Sequence, residues 1–189
     1  MKTETRKKEI INTAAKLFKE KGYSAVTMRD LATAMGIKAA SLYNHINSKQ
    51  DILKAIIISI AEEFTVGMNA IIHSEVSNIN KLKKIVALHV NITANNTNGM
   101  ASLNNDWMHL EDQLGYYLQL RNEYEANFLN IIKEGVASSE IKNSNPELIM
   151  FSMLTTLRSL YLWIPKKEDL NANDLARSLS EVLIEGINT

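Results

Sequence analysis

The chain has 189 residues, 46% of them hydrophobic, with 7 Gly, 2 Pro and no Cys. That length supports a sizeable core in one or two domains, and so few breakers favour long helices over a turn-rich β fold. The lack of cysteine excludes disulfides, thiolate metal sites and a cysteine nucleophile, and fits a reducing cytoplasm.

The formal net charge of zero hides an uneven distribution. Residues 1–54 carry eleven Lys and Arg against five Asp and Glu, a net +6, which leaves −6 for the remainder. A basic head on an acidic body is the footprint of a chain whose one end touches phosphates.

The start, residues 1–9, is charged and has no apolar run behind it of the kind a secretory signal needs. A first helix is predicted over residues 5–21, with Ile10, Ile11, Ala14, Ala15, Leu17 and Phe18 forming one apolar stripe. Gly22 is its C-terminal stop, and Tyr23 and Val26 pack the following loop.

Residues 27–49 are the most informative stretch. Thr27 reads as an N-cap with Asp30 three residues on, where a carboxylate supports the exposed amides. Leu31, Ala34 and Met35 face inward, and Gly36 permits a sharp turn that Ile37 plugs into the core. A short helix over residues 38–44 follows, anchored by Leu42. Helix, tight turn and second short helix make a helix-turn-helix, which lays its second helix in the DNA major groove.

Ser48 and Asp51 repeat the cap pattern and open a long helix over residues 49–72. Ile52, Leu53, Ile56, Ile57, Ile60, Phe64, Met68 and Ile71 mark its buried side, and Gly67 is a weak point within it. The apolar run from Ile52 is broken by Lys54 and Glu62-Glu63, which reads as too short to span a bilayer; no membrane partner is expected. Later helices are predicted over 79–96, 101–111, 113–138, 146–164 and 171–187. Residues 95–99 form the most polar loop, and Pro146 and Pro165 bracket one helix. No run alternates as a strand. The fold class is therefore all-α: an N-terminal three-helix domain with a helix-turn-helix, residues 1–48, and a larger C-terminal helical bundle, residues 49–189.

The head resembles the N-terminal domain of the TetR/AcrR family of bacterial transcriptional regulators. The residues that carry the likeness are Ala14-x-x-Leu17-Phe18, Gly22-Tyr23, Thr27-x-x-Asp30-Leu31-Ala32, Met35-Gly36-Ile37, Leu42-Tyr43-x-His45 and Ser48-Lys49-x-x-Ile52-Leu53, without gaps. The likeness implies DNA-contact roles. Thr27 meets a phosphate through its hydroxyl and the helix N-terminus. Arg29 reaches a base edge or phosphate. Lys38, Ala39, Ala40 and Ser41 open the recognition helix and face the groove. Tyr43 and His45 bond phosphates, Asn44 lies beside the bases, and Lys49 holds a further phosphate. Asn can read adenine bidentately, and Ala methyls can meet thymine methyls. Two departures stand out: Lys38 occupies a position where a small hydroxyl residue is common, and Ile46 one where Phe is frequent.

For the body the resemblance implies a ligand-binding and dimerisation bundle. Aromatic and Met residues are candidates for a pocket between helices, chiefly Phe64, Met68, Trp107, His109, Tyr117 and Met153. Leu148, Phe151, Leu175, Leu179, Val182 and Leu183 are candidates for the dimer face, as two helices from each subunit forming a four-helix bundle. An internal core is the alternative reading of the same spacing. The expected function is a cytoplasmic homodimeric repressor that binds a palindromic operator and is released by a partly hydrophobic small molecule. An architectural DNA binder without a sensor is the alternative.

A helical metal-dependent enzyme is the remote alternative. Glu-x-x-His pairs are absent, Asp106-x-x-His109 stands alone, and His73, His89, His109 and Glu111 have no metal-ligand spacing. Neither His-Glu-x-x-His, nor a Gly-rich phosphate loop, nor a Gly-x-Ser-x-Gly elbow occurs, so no enzyme activity, cofactor or metal is expected.

Overall fold

Ten α-helices follow one another in the computed structural model, which describes residues 2–186. They are α1 (Lys2–Lys21), α2 (Met28–Ala34), α3 (Ala39–Leu42), α4 (Lys49–Ile72) and α5 (Asn78–Asn95). Then come α6 (Thr97–Asn105), α7 (Leu114–Ala137), α8 (Pro146–Arg158), α9 (Leu160–Trp163) and α10 (Ala172–Ser180). No strand occurs among the described residues. The all-α expectation holds.

The chain forms two compact units that do not follow chain order. One comprises residues 1–61 and 98–118; the other comprises 62–97 and 119–189.

In the first unit the core is Ile10, Ala14, Phe18, Leu31, Leu42, Ile52, Leu53 and Ile57, all buried. α1 packs on α2, and α2 on α3. α1 starts earlier than its apolar stripe suggests, because its first turn carries Glu4, which suits a positive helix end. The predicted helix 101–111 is shorter and shifted. α6 begins at Thr97, so the polar run 95–99 is a break at Asn96 rather than a loop. Short 3₁₀ turns, Trp107–His109 and Glu111–Gln113, then lead into α7.

In the second unit α5 is central, packing against α8, α9 and α10. Its buried face is Leu82, Ile85, Val86, His89, Val90, Ile92 and Thr93. Gly67 proves to be no weak point. A Cβ there would stand 2.4 Å from Leu88 Cδ1, so the glycine lets α4 and α5 approach closely. The predicted helix 146–164 breaks at Ser159, whose hydroxyl turns back to accept no cap but donates to Thr155 O at 2.9 Å. Asn145 and Asn171 cap α8 and α10, each accepting from two backbone amides of the first turn. The last predicted helix ends early: α10 gives way to a π turn, Glu181–Glu185, and Ile187 lies outside the described residues.

One expectation fails on length. α4, at 24 residues, and the segment Pro146–Lys166 are each long and apolar enough to cross a bilayer by composition alone. Core helices pass the same test, and Ile52, Leu53, Ile57 and Ile60 of α4 are buried inside the protein.

Candidate nucleic-acid interface

The helix-turn-helix is built by local hydrogen bonding that its sequence encodes. Thr27 caps α2: its hydroxyl accepts from the Asp30 amide at 3.1 Å, and Asp30 Oδ2 accepts from the Thr27 amide at 2.8 Å. This is a complete capping box, and the bond from the Thr27 hydroxyl holds the Asp30 carboxyl below its usual range. Gly36 sits at φ +65°, where an L side chain is strained, and there the chain turns from α2 to α3. Ser48 repeats the device for α4, its hydroxyl accepting from the Asp51 amide at 3.0 Å.

Six of the candidate contacts are exposed: Thr27, Arg29, Lys38, Ala40, Tyr43 and Asn44. Tyr43, at 54% exposure, is no core aromatic. Ala39, Ser41 and His45 are half-buried, and His45 Nδ1 is buried without a hydrogen-bond partner. Ile46 is buried and fills the core site expected of it. α3 is only one turn, with Lys38 at its N-cap and Tyr43 at its end.

Lys49 is bonded within the head. Its half-buried ammonium donates to Tyr23 O at 2.9 Å and Val26 O at 2.8 Å, and lies 4.2 Å from the Tyr23 ring centroid. Tyr23 is a junction of its own. It meets Phe18 edge-on and stacks on His109, both at 5.2 Å, and its hydroxyl donates to Gln50 Oε1 at 2.5 Å. Gln50 in turn donates to His109 O at 2.5 Å, and Lys54 pairs with Asp112. Burial raises the Tyr23 phenol above its ordinary range, aided by Glu111 and Asp106. His109, a ligand candidate, is thus tied to the head through Tyr23 and Gln50.

The remaining ligand candidates divide between the units. Trp107 and Tyr117 stack at 5.9 Å in the first. Phe64, Met68 and Met153 are buried in the second. There Phe64 meets His89 at 4.6 Å and Tyr124 at 5.7 Å, and His89 Nε2 lies 2.9 Å from the Tyr124 hydroxyl. His89 and Thr93 are 3% and 0% exposed, yet His89 Nδ1 and Thr93 Oγ1 have no hydrogen-bond partner. Burial, with Arg158 nearby, pushes the His89 imidazole down to about 3, so it is neutral at physiological pH. Sequence reasoning passed over Thr93 and Tyr124; the available signal was a His and a Thr one turn apart on the apolar face of α5. Among the described residues no three His, Asp or Glu side chains gather as a metal site.

Of the dimer candidates, Leu148, Phe151 and Val182 are exposed, Phe151 at 66%. Leu175, Leu179 and Leu183 are half-buried within their own unit. Ser152, Thr155, Leu162 and Trp163 extend the exposed set.

Residues 10–56 match the family model for bacterial regulatory proteins of the tetR family, and residues 75–187 match the tetracyclin repressor-like C-terminal domain. The chain belongs to the TetR family. It is 22% identical over 185 residues to the HTH-type transcriptional repressor KstR2 of Rhodococcus jostii, covering 96% of this chain and 91% of that protein. The head alone is 50% identical over 46 residues to the biofilm operon regulator IcaR of Staphylococcus aureus, 24% of this chain and 25% of that one. In structure the chain resembles the ketosteroid transcriptional regulator KstR2 of Mycobacterium tuberculosis, with a TM-score of 0.87 and 18% identity over 97% of this chain and 95% of that one. This TetR-family chain is a DNA-binding transcriptional regulator.

Proposed function

We infer that this regulator is a homodimeric repressor, which binds a palindromic operator through residues 1–48 and is released by a small molecule held in the helical body, residues 49–189. The observation that carries the DNA reading is the exposed set Thr27, Arg29, Lys38, Ala40, Tyr43 and Asn44, gathered on a capped helix-turn-helix. A neutral hydroxyl, two cations, a methyl, a phenol and an amide suit phosphates and base edges together.

Dimerisation is supported by the exposed apolar face of α8. Leu148, Phe151, Ser152 and Thr155 recur at three- and four-residue spacing, with Val182 also exposed. Small and apolar residues at that spacing suit helix-on-helix packing with a second copy. Pairing sets two recognition helices about 34–36 Å apart, one helical turn of DNA. Replacing Phe151 with Glu should give a monomer in sedimentation equilibrium and a large loss of operator affinity.

The effector reading is supported by the orphaned polar atoms of His89 and Thr93 beside Phe64 and Tyr124. Buried polar atoms without partners are costly, and a mostly apolar guest with one hydrogen-bonding group would relieve them. A ligand that favours the DNA-incompetent state lowers DNA affinity by its differential affinity for the two states.

Selection of bound sites from random duplex DNA tests the reading. A palindrome with half-sites one helical turn apart is expected. Binding without an enriched motif, fading only with salt, would replace the repressor with an architectural binder.

A further inference from the structure

We propose that Lys49 acts in DNA binding as a positioning residue for α2 and does not contact phosphate. Its ammonium has three donors, and the structure engages two of them in hydrogen bonds within the protein. Two face the carbonyls of Tyr23 and Val26, and the Tyr23 ring lies against the same nitrogen at 4.2 Å. Charge-assisted bonds of this kind are about twice as strong as neutral ones. Turning the ammonium toward a phosphate at the expense of the Val26 bond would take from that carbonyl, on a buried residue, its charged donor, while Tyr23 O would keep only the longer bond of 3.3 Å from the Val26 amide.

The place of the grip gives it its effect. Val26 immediately precedes Thr27, the N-cap of α2, and the Val26 amide itself donates to Tyr23 O at 3.3 Å. By holding both carbonyls, the first residue of α4 fixes where α2 begins. The positions of the Thr27 hydroxyl and Arg29 follow from that. The other wall of the grip is held as well: the Tyr23 ring is stacked on His109, and its hydroxyl is bonded to Gln50. Both ends of the loop, Tyr23 and Val26, are thus tied while the ammonium is in place.

Phosphate contact and positioning differ in their salt dependence. A cation that neutralises a phosphate releases counterions, so its removal lowers the log–log salt slope by about 0.9. Removing a cation that only shapes the head weakens binding equally at every salt concentration. Arginine separates the two further. It keeps a charge that can reach phosphate, but its planar fork does not reproduce a point charge gripping two carbonyls under a ring.

The test uses the full chain as Lys49→Met and Lys49→Arg. Affinity for the selected operator and for a mixed-sequence duplex is measured across a KCl series, together with amide exchange at residues 27–31. Both variants are expected to bind the operator about tenfold more weakly with the wild-type slope, with faster exchange at Asp30 and Leu31. The inference is overturned by a slope lowered by about 1 in Lys49→Met with wild-type exchange. It is equally overturned by wild-type operator affinity in either variant. Should Lys49→Met show no cooperative thermal transition, Lys49→Arg alone decides, because only a phosphate contact predicts that it binds normally. If no operator is selected, the mixed-sequence duplex still yields the slope, so loss of the repressor reading and loss of this inference remain separate results.

Discussion

The helix starts of the helix-turn-helix and the interior around α5 treat polar groups differently. In the head the groups that set the helix starts are paired: Thr27 and Asp30 satisfy each other, Ser48 caps α4, and Lys49 bonds two loop carbonyls, with His45 Nδ1 the exception that has no partner. Around α5, His89 Nδ1 and Thr93 Oγ1 are buried and unsatisfied. A surface that must present a fixed set of contacts to DNA benefits from determinate geometry. An interior that leaves hydrogen-bonding capacity open would suit the guest proposed above. The contrast teaches that specificity for DNA is written in short-range bonds, whereas any response to a ligand is written in what the core leaves undone.

Four substitutions sharpen or break this contrast. The largest effect is expected from Phe128→Ala, since Phe128 is fully buried in the second unit. It should cost about 3–5 kcal/mol in urea unfolding, against which head variants are small.

His89 supplies the next. Its folded value of about 3 lies below its unfolded value of 6.5. Below pH 6.5 the unfolded chain takes up a proton that the native state refuses. Stability is thus fully present above pH 6.5 and falls by about 1.4 kcal/mol per pH unit as the pH drops toward 3. Unfolding free energies from urea titrations at pH 6.5 and 4.5 should differ by about 2 kcal/mol more in the wild type than in His89→Leu. Equal differences would mean that the imidazole is solvated and the interior is not as described.

Thr27→Ala removes the cap of α2 and should cost about 1 kcal/mol, with Thr27→Ser close to wild type. Lys38→Ala is the smallest in stability, within about 0.5 kcal/mol, because the side chain is exposed and makes no cap bond. In DNA binding it should lower the salt slope by about 1 if it meets phosphate, or change base preference if it meets guanine.

What was legible in the sequence follows the same division. The capping box, the turn at Gly36 and the start of α4 at Lys49 depend on residues within a few positions of one another, and all three stand where the sequence placed them. The family was legible for the same reason. The stacking of His109 on Tyr23 was not legible, because the two lie 86 positions apart in the chain and no local pattern joins them. Gly67 reads as a helix breaker until Leu88 of another helix is set beside it. Residues 95–99 were misread because polar composition suggests a loop, whereas α6 takes them up from Thr97. The half-burial of Leu175, Leu179 and Leu183 could not be told from exposure by spacing, which marks an apolar face without saying what covers it.

The first compact unit is made of residues 1–61 together with residues 98–118. A transplant of the head that stops at residue 48 would therefore cut through one structural body. It would leave behind Gln50 and Lys54 and, with them, the Gln50–His109 and Lys54–Asp112 ties. Anyone building a chimeric regulator from this protein should move residues 98–118 along with the reader. A recipient scaffold would otherwise meet the Tyr23 ring with a surface that was never fitted to it.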